Sequence, residues 1–208
     1  MQANTIQSYR WLLTCLLAFV VTSISLHGQR GFAGKITAGF NASQIQGDQL
    51  AGYDKLGLNL GGEVSFALND RFDMGMQFLF TQKGSQSEIS LGQDQFKTNL
   101  NYIEIPVMII IKDWYLEEED YHKVKAHAGF SYARLFDVSS SNGLFEGDIG
   151  NFKNYDFALF IGASYGINRK WEGFARYTNS VIQIYLSDDL ETDGLINYLW
   201  TFGLAYKI

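Results

Sequence analysis

The sequence predicts an all-β chain, an eight-stranded antiparallel up-and-down transmembrane β-barrel. Three observations carry this. Apolar and polar residues alternate strictly in eight segments, and ten charged residues in those segments all fall on one parity: Lys35, Lys83, Lys125, Arg176, Lys207, Glu63, Asp73, Glu104, Asp156 and Glu172. The connections alternate between short turns and long polar loops. Large aromatics on the uncharged parity gather near the strand ends, Phe32, Phe72, Trp171 and Tyr206 at one rim and Phe80, Tyr132, Tyr177 and Tyr198 at the other. A period of two marks strands with two unlike faces, and aromatic rims around an apolar band are the habit of membrane barrels.

The elements follow in order. Phe32, Gly34, Ile36, Ala38 and Phe40 oppose Lys35, Thr37 and Asn41 in the first strand. Leu56–Leu68 forms the second, and the turn triplet Asn69-Asp70-Arg71 leads into the third, where Phe72, Met74, Met76, Phe78 and Phe80 oppose Asp73, Gly75, Gln77 and Lys83. The fourth sets Ile103, Ile105, Val107, Ile109 and Ile111 against Tyr102, Glu104, Pro106 and Met108. Pro106 lacks a ladder donor, which predicts a bulge there. The fifth runs from Val124 to Ala133 and the sixth from Asp156 to Tyr165; after Asn168-Arg169-Lys170 the seventh runs from Trp171 to Thr178, and the eighth closes the chain from Asn197 to Ile208. Long loops are expected near residues 46–55, 84–98, 137–154 and 180–195, with one anomalously long lower connection at 113–122.

Residues 1–28 read as a secretory signal peptide, with Arg10 before the 14-residue apolar run Trp11–Ile24 and small polar residues after it. That leaves 29–208 as one barrel domain. The only cysteine, Cys15, falls within the signal, so the mature chain has no thiol chemistry. Loss of Arg10 from 16 basic residues leaves 15 against 22 acidic, a net charge of −7 that argues against nucleic-acid binding. A composition of 47% hydrophobic and 15% aromatic residues excludes disorder.

The same parity would suit a soluble, lipocalin-like barrel turned inside out. The charged parity, however, is rich in Gly, Ala, Ser and Thr, as converging interior walls require, and no lipocalin Gly-x-Trp signature opens the first strand. A rim enzyme is the other alternative. His127 shares its parity with Ser131 but lies about 13 Å from it at strand rise, too far for a nucleophile and base. The acidic runs Glu117–Asp120 and Asp188–Asp193 read as solvated, and no phosphate loop or metal-ligand cluster appears, so neither catalytic residues nor a cofactor are expected.

Depth counting places Glu63, Glu104 and Arg176 at one level of the interior and Lys125 somewhat lower. Arg176, whose planar fork can engage two carboxylates, is expected to bind Glu104 and Glu63 and plug the lumen. Any binding surface is expected in the long loops, at Tyr53, Phe96, Phe145, Phe152 and Tyr185, with Leu190 beside them.

Gly34-Lys35-Ile36-Thr37-Ala38-Gly39-Phe40-Asn41-Ala42-Ser43, Thr81-Gln82-Lys83-Gly84, Leu100-Asn101-Tyr102-Ile103-Glu104-Ile105-Pro106-Val107 and Ala175-Arg176-Tyr177 resemble the PorT-type outer-membrane β-barrel family of Bacteroidota. The resemblance implies an outer-membrane barrel in contact with lipid, exported by the general secretion route and inserted by the barrel assembly machinery. Its family name ties one member to protein secretion, and a protein partner at the extracellular loops would fit that link.

Overall fold

A computed structural model describes residues 31–46, 55–86, 97–141, 152–185 and 195–208. The expected signal segment lies outside them. Eight strands close into one antiparallel barrel in chain order: β1 Phe32–Gln46, β2 Lys55–Ala67, β3 Phe72–Gln86, β4 Lys97–Leu116, β5 Tyr121–Ser141, β6 Tyr155–Gly166, β7 Trp171–Ser180 and β8 Ile196–Lys207. The ring is sealed where β1 pairs with β8, from Lys35 opposite Lys207 to Gln46 opposite Ile196. No described residue is helical.

The faces are inverted relative to a water-soluble protein. Phe78 is 61% exposed and Ile161 63%, whereas Lys83 is 1% exposed and Asp156 1%. The outer wall presents large apolar side chains, including Ile36, Leu58, Val64, Met76, Phe130 and Leu159, and the inner wall carries Thr37, Asn41, Ser65, Gln77, Thr81 and Thr201. Burying this charge while exposing this apolar area is unfavourable in water and favourable in hydrocarbon. That polarity disposes of the soluble alternative. Of the ten charges expected inward, only Lys207, the last residue of β8, is exposed.

Two short turns share one device. Asn69 Oδ1 accepts from the backbone N–H groups of Arg71 and Phe72, each at 2.9 Å, and Asn168 Oδ1 does the same for Lys170 and Trp171 at 2.9 Å. The asparagine side chain thereby satisfies donors that a tight hairpin leaves open.

Several strand expectations need correction. The connection at 113–122 is not long: β4 continues to Leu116 and β5 begins at Tyr121, leaving a turn at Glu117–Asp120. Asp120 takes a left-handed φ of 51°, which aspartate tolerates, and its carboxylate accepts from the Tyr115 hydroxyl at 2.7 Å. Nor does Pro106 sit in a bulge. It pairs in unbroken register with Ser131 of β5, and the β3 ladder passes from Met76–Val107 to Leu79–Glu104 without a shift, omitting the two pairs around the proline. The missing N–H thus interrupts one ladder without displacing either strand. The register shift lies higher, between Asn101 and Tyr102, where Phe136 is the extra residue of β5. Because β5 extends past Ala133, it also carries charges onto the outer wall, at Arg134 and Asp137.

A ring with every strand paired on both sides resists detergent. Unheated protein in dodecyl sulfate is expected to migrate apart from the boiled chain, and identical mobility of the two would contradict the closed barrel.

Candidate functional site

The strands converge on an interior in which glycine makes space for larger groups. A Cβ on Gly162 would lie 2.4 Å from His127 Nε2, and one on Gly203 would lie 2.7 Å from the Phe174 ring. The missing Cβ atoms leave room for the His127 and Phe174 rings. His127 faces the Phe160 ring, with centroids 6.4 Å apart.

Interior charge forms three groups, counted from the end with the long loops. In the loop half, Lys83 Nζ lies 3.2 Å from Glu104 Oε2 and 3.1 Å from Asp156 Oδ2, and Ser180 Oγ donates to the same Asp156 oxygen at 2.9 Å. The Lys83 ammonium also stands over the Tyr102 ring at 5.1 Å. Nearer the turns, Lys35 Nζ contacts Glu63 at 2.8 Å and Glu172 at 3.4 Å, and Lys125 forms a close ion pair with Glu172. At the turn end, Lys112 pairs with Asp73 at 2.6 Å.

Arg176 is the bridge between the first two groups, though not by the expected contact. The fork predicted to hold Glu104 and Glu63 makes no ion pair with either. Its Nη2 donates to Gln77 Oε1 at 2.9 Å, Gln77 Nε2 donates to Glu63 Oε2 at 2.6 Å, and the guanidinium lies 4.5 Å from the Phe160 ring centroid. Glu104 belongs to Lys83 instead. Lys125 has Glu172 as its partner. The residues that depth counting missed are Lys83, Lys35, Asp156, Glu172 and Gln77, all inward by parity. Parity puts them inside but gives no partner, and the long loop expected from residue 84 leaves Lys83 next to a strand end. In fact β3 continues to Gln86, so Lys83 is fully enclosed.

The groups do not balance separately. Lys83 faces two carboxylates, whereas Lys35, Lys125 and Arg176 face Glu63 and Glu172. The loop half is short of one positive charge and the adjoining half has one in excess. Arg176 supplies that excess across the lumen, through space, where low dielectric makes the attraction strong.

Above Lys83 the loop end is capped. Phe152 and Tyr185 form an isolated antiparallel bridge with rings 5.0 Å apart, held by Lys153 N–H donating to Ile184 C=O at 2.8 Å and Ile184 N–H donating to Leu195 C=O at 2.9 Å. They pack with Ile45, Leu100, Tyr102 and Leu135 in one apolar cluster. Phe152 is 6% exposed and Tyr185 6%, so neither belongs to an exposed binding surface. The expectation failed because the segments carrying them fold inward over the mouth. Tyr53, Phe96, Phe145 and Leu190 lie outside the described residues. Below the cap, a cavity of about 20 Å³ remains beside Arg176, His127 and Thr37, room for roughly one water. Among the described residues no group of His, Cys, Asp or Glu is placed to hold a metal.

A lipid-facing apolar wall around an ion-paired interior defines an integral membrane β-barrel. The chain belongs to the outer membrane protein beta-barrel domain family, whose model matches residues 20–185. Among solved structures it is similar to Ail, the attachment invasion locus protein of Yersinia pestis, at 15% identity and a TM-score of 0.47, covering 86% of this chain and 100% of that one. Neisserial surface protein A matches at 15% identity and a TM-score of 0.45, covering 88% and 100%, and the N-terminal barrel of Pseudomonas aeruginosa OprF at 9% and 0.38, covering 85% and 97%. No curated protein matches.

Replacing Lys83 by Met leaves two enclosed carboxylates without their cation and is expected to cost roughly 3–5 kcal/mol. Arg176→Met, which breaks no direct ion pair, should cost less. The combination Lys83→Met, Glu104→Gln and Asp156→Asn should recover much of the first loss. Urea unfolding in detergent micelles, followed by Trp fluorescence, gives the ranking, and additive losses across the three sites would contradict a shared cluster.

Proposed function

We propose that this protein is a closed outer-membrane barrel whose role is structural or lies in binding by its outer loops, and that it is neither a porin nor an enzyme. The observation that carries this is the lumen, obstructed at one level by the Lys83, Glu104 and Asp156 cluster, at another by Lys35, Glu63, Gln77 and Arg176, and sealed at the loop end by Phe152 and Tyr185. An eight-stranded barrel is just wide enough to be filled by side chains, and here it is filled. His127 is buried against the tilted Phe160 ring inside that packing, which supports a structural reading for it over an acid-base role.

In this reading residues 1–28 direct export and are removed, the barrel assembly machinery inserts the chain, and both barrel termini and the short turns face the periplasm. The long loops then face outward and would meet any protein partner. Membership of the PorT-type branch, and with it a role accessory to protein secretion, is supported by the sequence resemblance alone.

Purified protein in planar bilayers is expected to give no large, steady single-channel conductance. Stable openings of porin size would overturn the proposal.

A further inference from the structure

The outer wall changes character along a definable line. On β3, β4 and β5 the register places Phe80 opposite Ile103 and Ile103 opposite Arg134. One step nearer the loops the wall gains polar groups, with Phe136 of β5 still exposed beside them and packed on Phe80 at 6.0 Å. Gln82 Nε2 donates to Asn101 Oδ1 at 2.9 Å, Asn101 Nδ2 donates to Asp137 Oδ2 at 2.7 Å, and Gln82 Oε1 accepts from Leu58 N–H at 3.2 Å. A row of amides bonded side to side across the outside of the wall suits headgroups and water, whereas the Phe80 and Ile103 row suits hydrocarbon. The acyl–headgroup boundary on this face therefore runs between the two rows.

Arg134 stands in the row just below that boundary, opposite Ile103, exposed and facing outward. Its cross-strand neighbour on β6 is Tyr155, 43% exposed on the same face. Directly opposite side chains are close enough to contact one ligand. Neither side chain has a hydrogen bond or ion pair with a described residue, and Asp137, the acid on the same wall, is engaged by Asn101. On the hydrocarbon side the Tyr132, Phe157 and Tyr155 rings pack in sequence, with Tyr132 and Phe157 centroids 5.2 Å apart and Tyr155 and Phe157 6.2 Å apart.

We propose that Arg134 and Tyr155 form a binding site for the phosphate of a membrane lipid headgroup. The guanidinium offers paired donors matched to phosphate oxygens, and the Tyr155 hydroxyl offers another. The aromatic row beneath carries the acyl chain. A positive charge with free donors at this depth has a lipid phosphate as its complementary neighbour, and a long stem lets it reach the headgroup level.

The site rests on the membrane-barrel assignment and is independent of which way the barrel points or whether it conducts. The full-length mature barrel in detergent is titrated, by native mass spectrometry, with phosphatidic acid and with diacylglycerol of the same chains, which differ only in the phosphate. Wild type is expected to bind phosphatidic acid about tenfold more tightly than diacylglycerol, and Arg134→Gln to lose about that factor, the worth of one charge-assisted contact. Tyr155→Phe should lose roughly threefold by removing a single hydrogen bond. Arg169→Gln, on the turn end where Arg169 pairs with Asp120 at 3.3 Å, should bind as wild type does. Unheated gel mobility shows that each variant is folded. Equal affinity of wild type, Arg134→Gln and Tyr155→Phe for phosphatidic acid would overturn the site, as would displacement of the lipid by equimolar inorganic phosphate, which would indicate a soluble-anion site instead.

Discussion

Within a bilayer no water is available to a free backbone N–H or C=O, so a sheet that crosses it must close on itself. The β1–β8 seam is where this chain meets that requirement, and the other structural features follow from it. Closure leaves one wall to lipid and one to the lumen, and a period of two then assigns every residue to one or the other. Even Pro106, which has no N–H to give, is accommodated by a local gap in one ladder while both registers continue.

Closing eight strands creates an interior just wide enough for side chains to fill and too polar to stay empty. Its side chains must fill the space and neutralise one another without water. Lys83 between Glu104 and Asp156, and Lys35 between Glu63 and Glu172, use one ammonium each to join carboxylates from different strands. In each case one carboxylate lies on an adjacent strand and the other across the lumen, Asp156 on β6 facing Lys83 on β3 and Glu172 on β7 facing Lys35 on β1, so each ammonium ties together strands that are not neighbours. Arg176 serves this interior mainly by its surplus charge and by its bond to Gln77. The apolar cap of Phe152, Tyr185 and their neighbours keeps water from the Lys83 cluster, which strengthens the ion pairs beneath it.

The strands were legible in the sequence because period-two patterning is local: each of the eight elements declared its faces without reference to the others. Its ends were not legible, since β4 and β5 run past the apolar alternation into Trp114, Tyr115 and the polar stretch beyond Ala133, where only pairing with a neighbour defines a strand. For that reason the sequence suggests a long loop where a turn at Glu117–Asp120 stands, and its alternation assigns Arg134 no face. Parity also identified which charges are interior. It could not identify their partners, because depth depends on barrel stagger and on how far a flexible lysine reaches. Polar surroundings in the sequence suggest exposure for Phe152 and Tyr185, whereas their burial depends on two chain segments meeting over the mouth.

The claim on which the account depends is that the apolar parity faces lipid. Single spin labels placed along β6, at Phe157, Ala158, Leu159, Phe160, Ile161 and Gly162, test it in reconstituted vesicles by collision with oxygen and with a polar nickel chelate. Labels at Phe157, Leu159 and Ile161 should be open to oxygen and shielded from nickel, alternating with low access to both at Ala158, Phe160 and Gly162. Protection of the odd positions from both reagents, with nickel reaching the even ones, would mean that the apolar wall is a core and the barrel is not in the membrane.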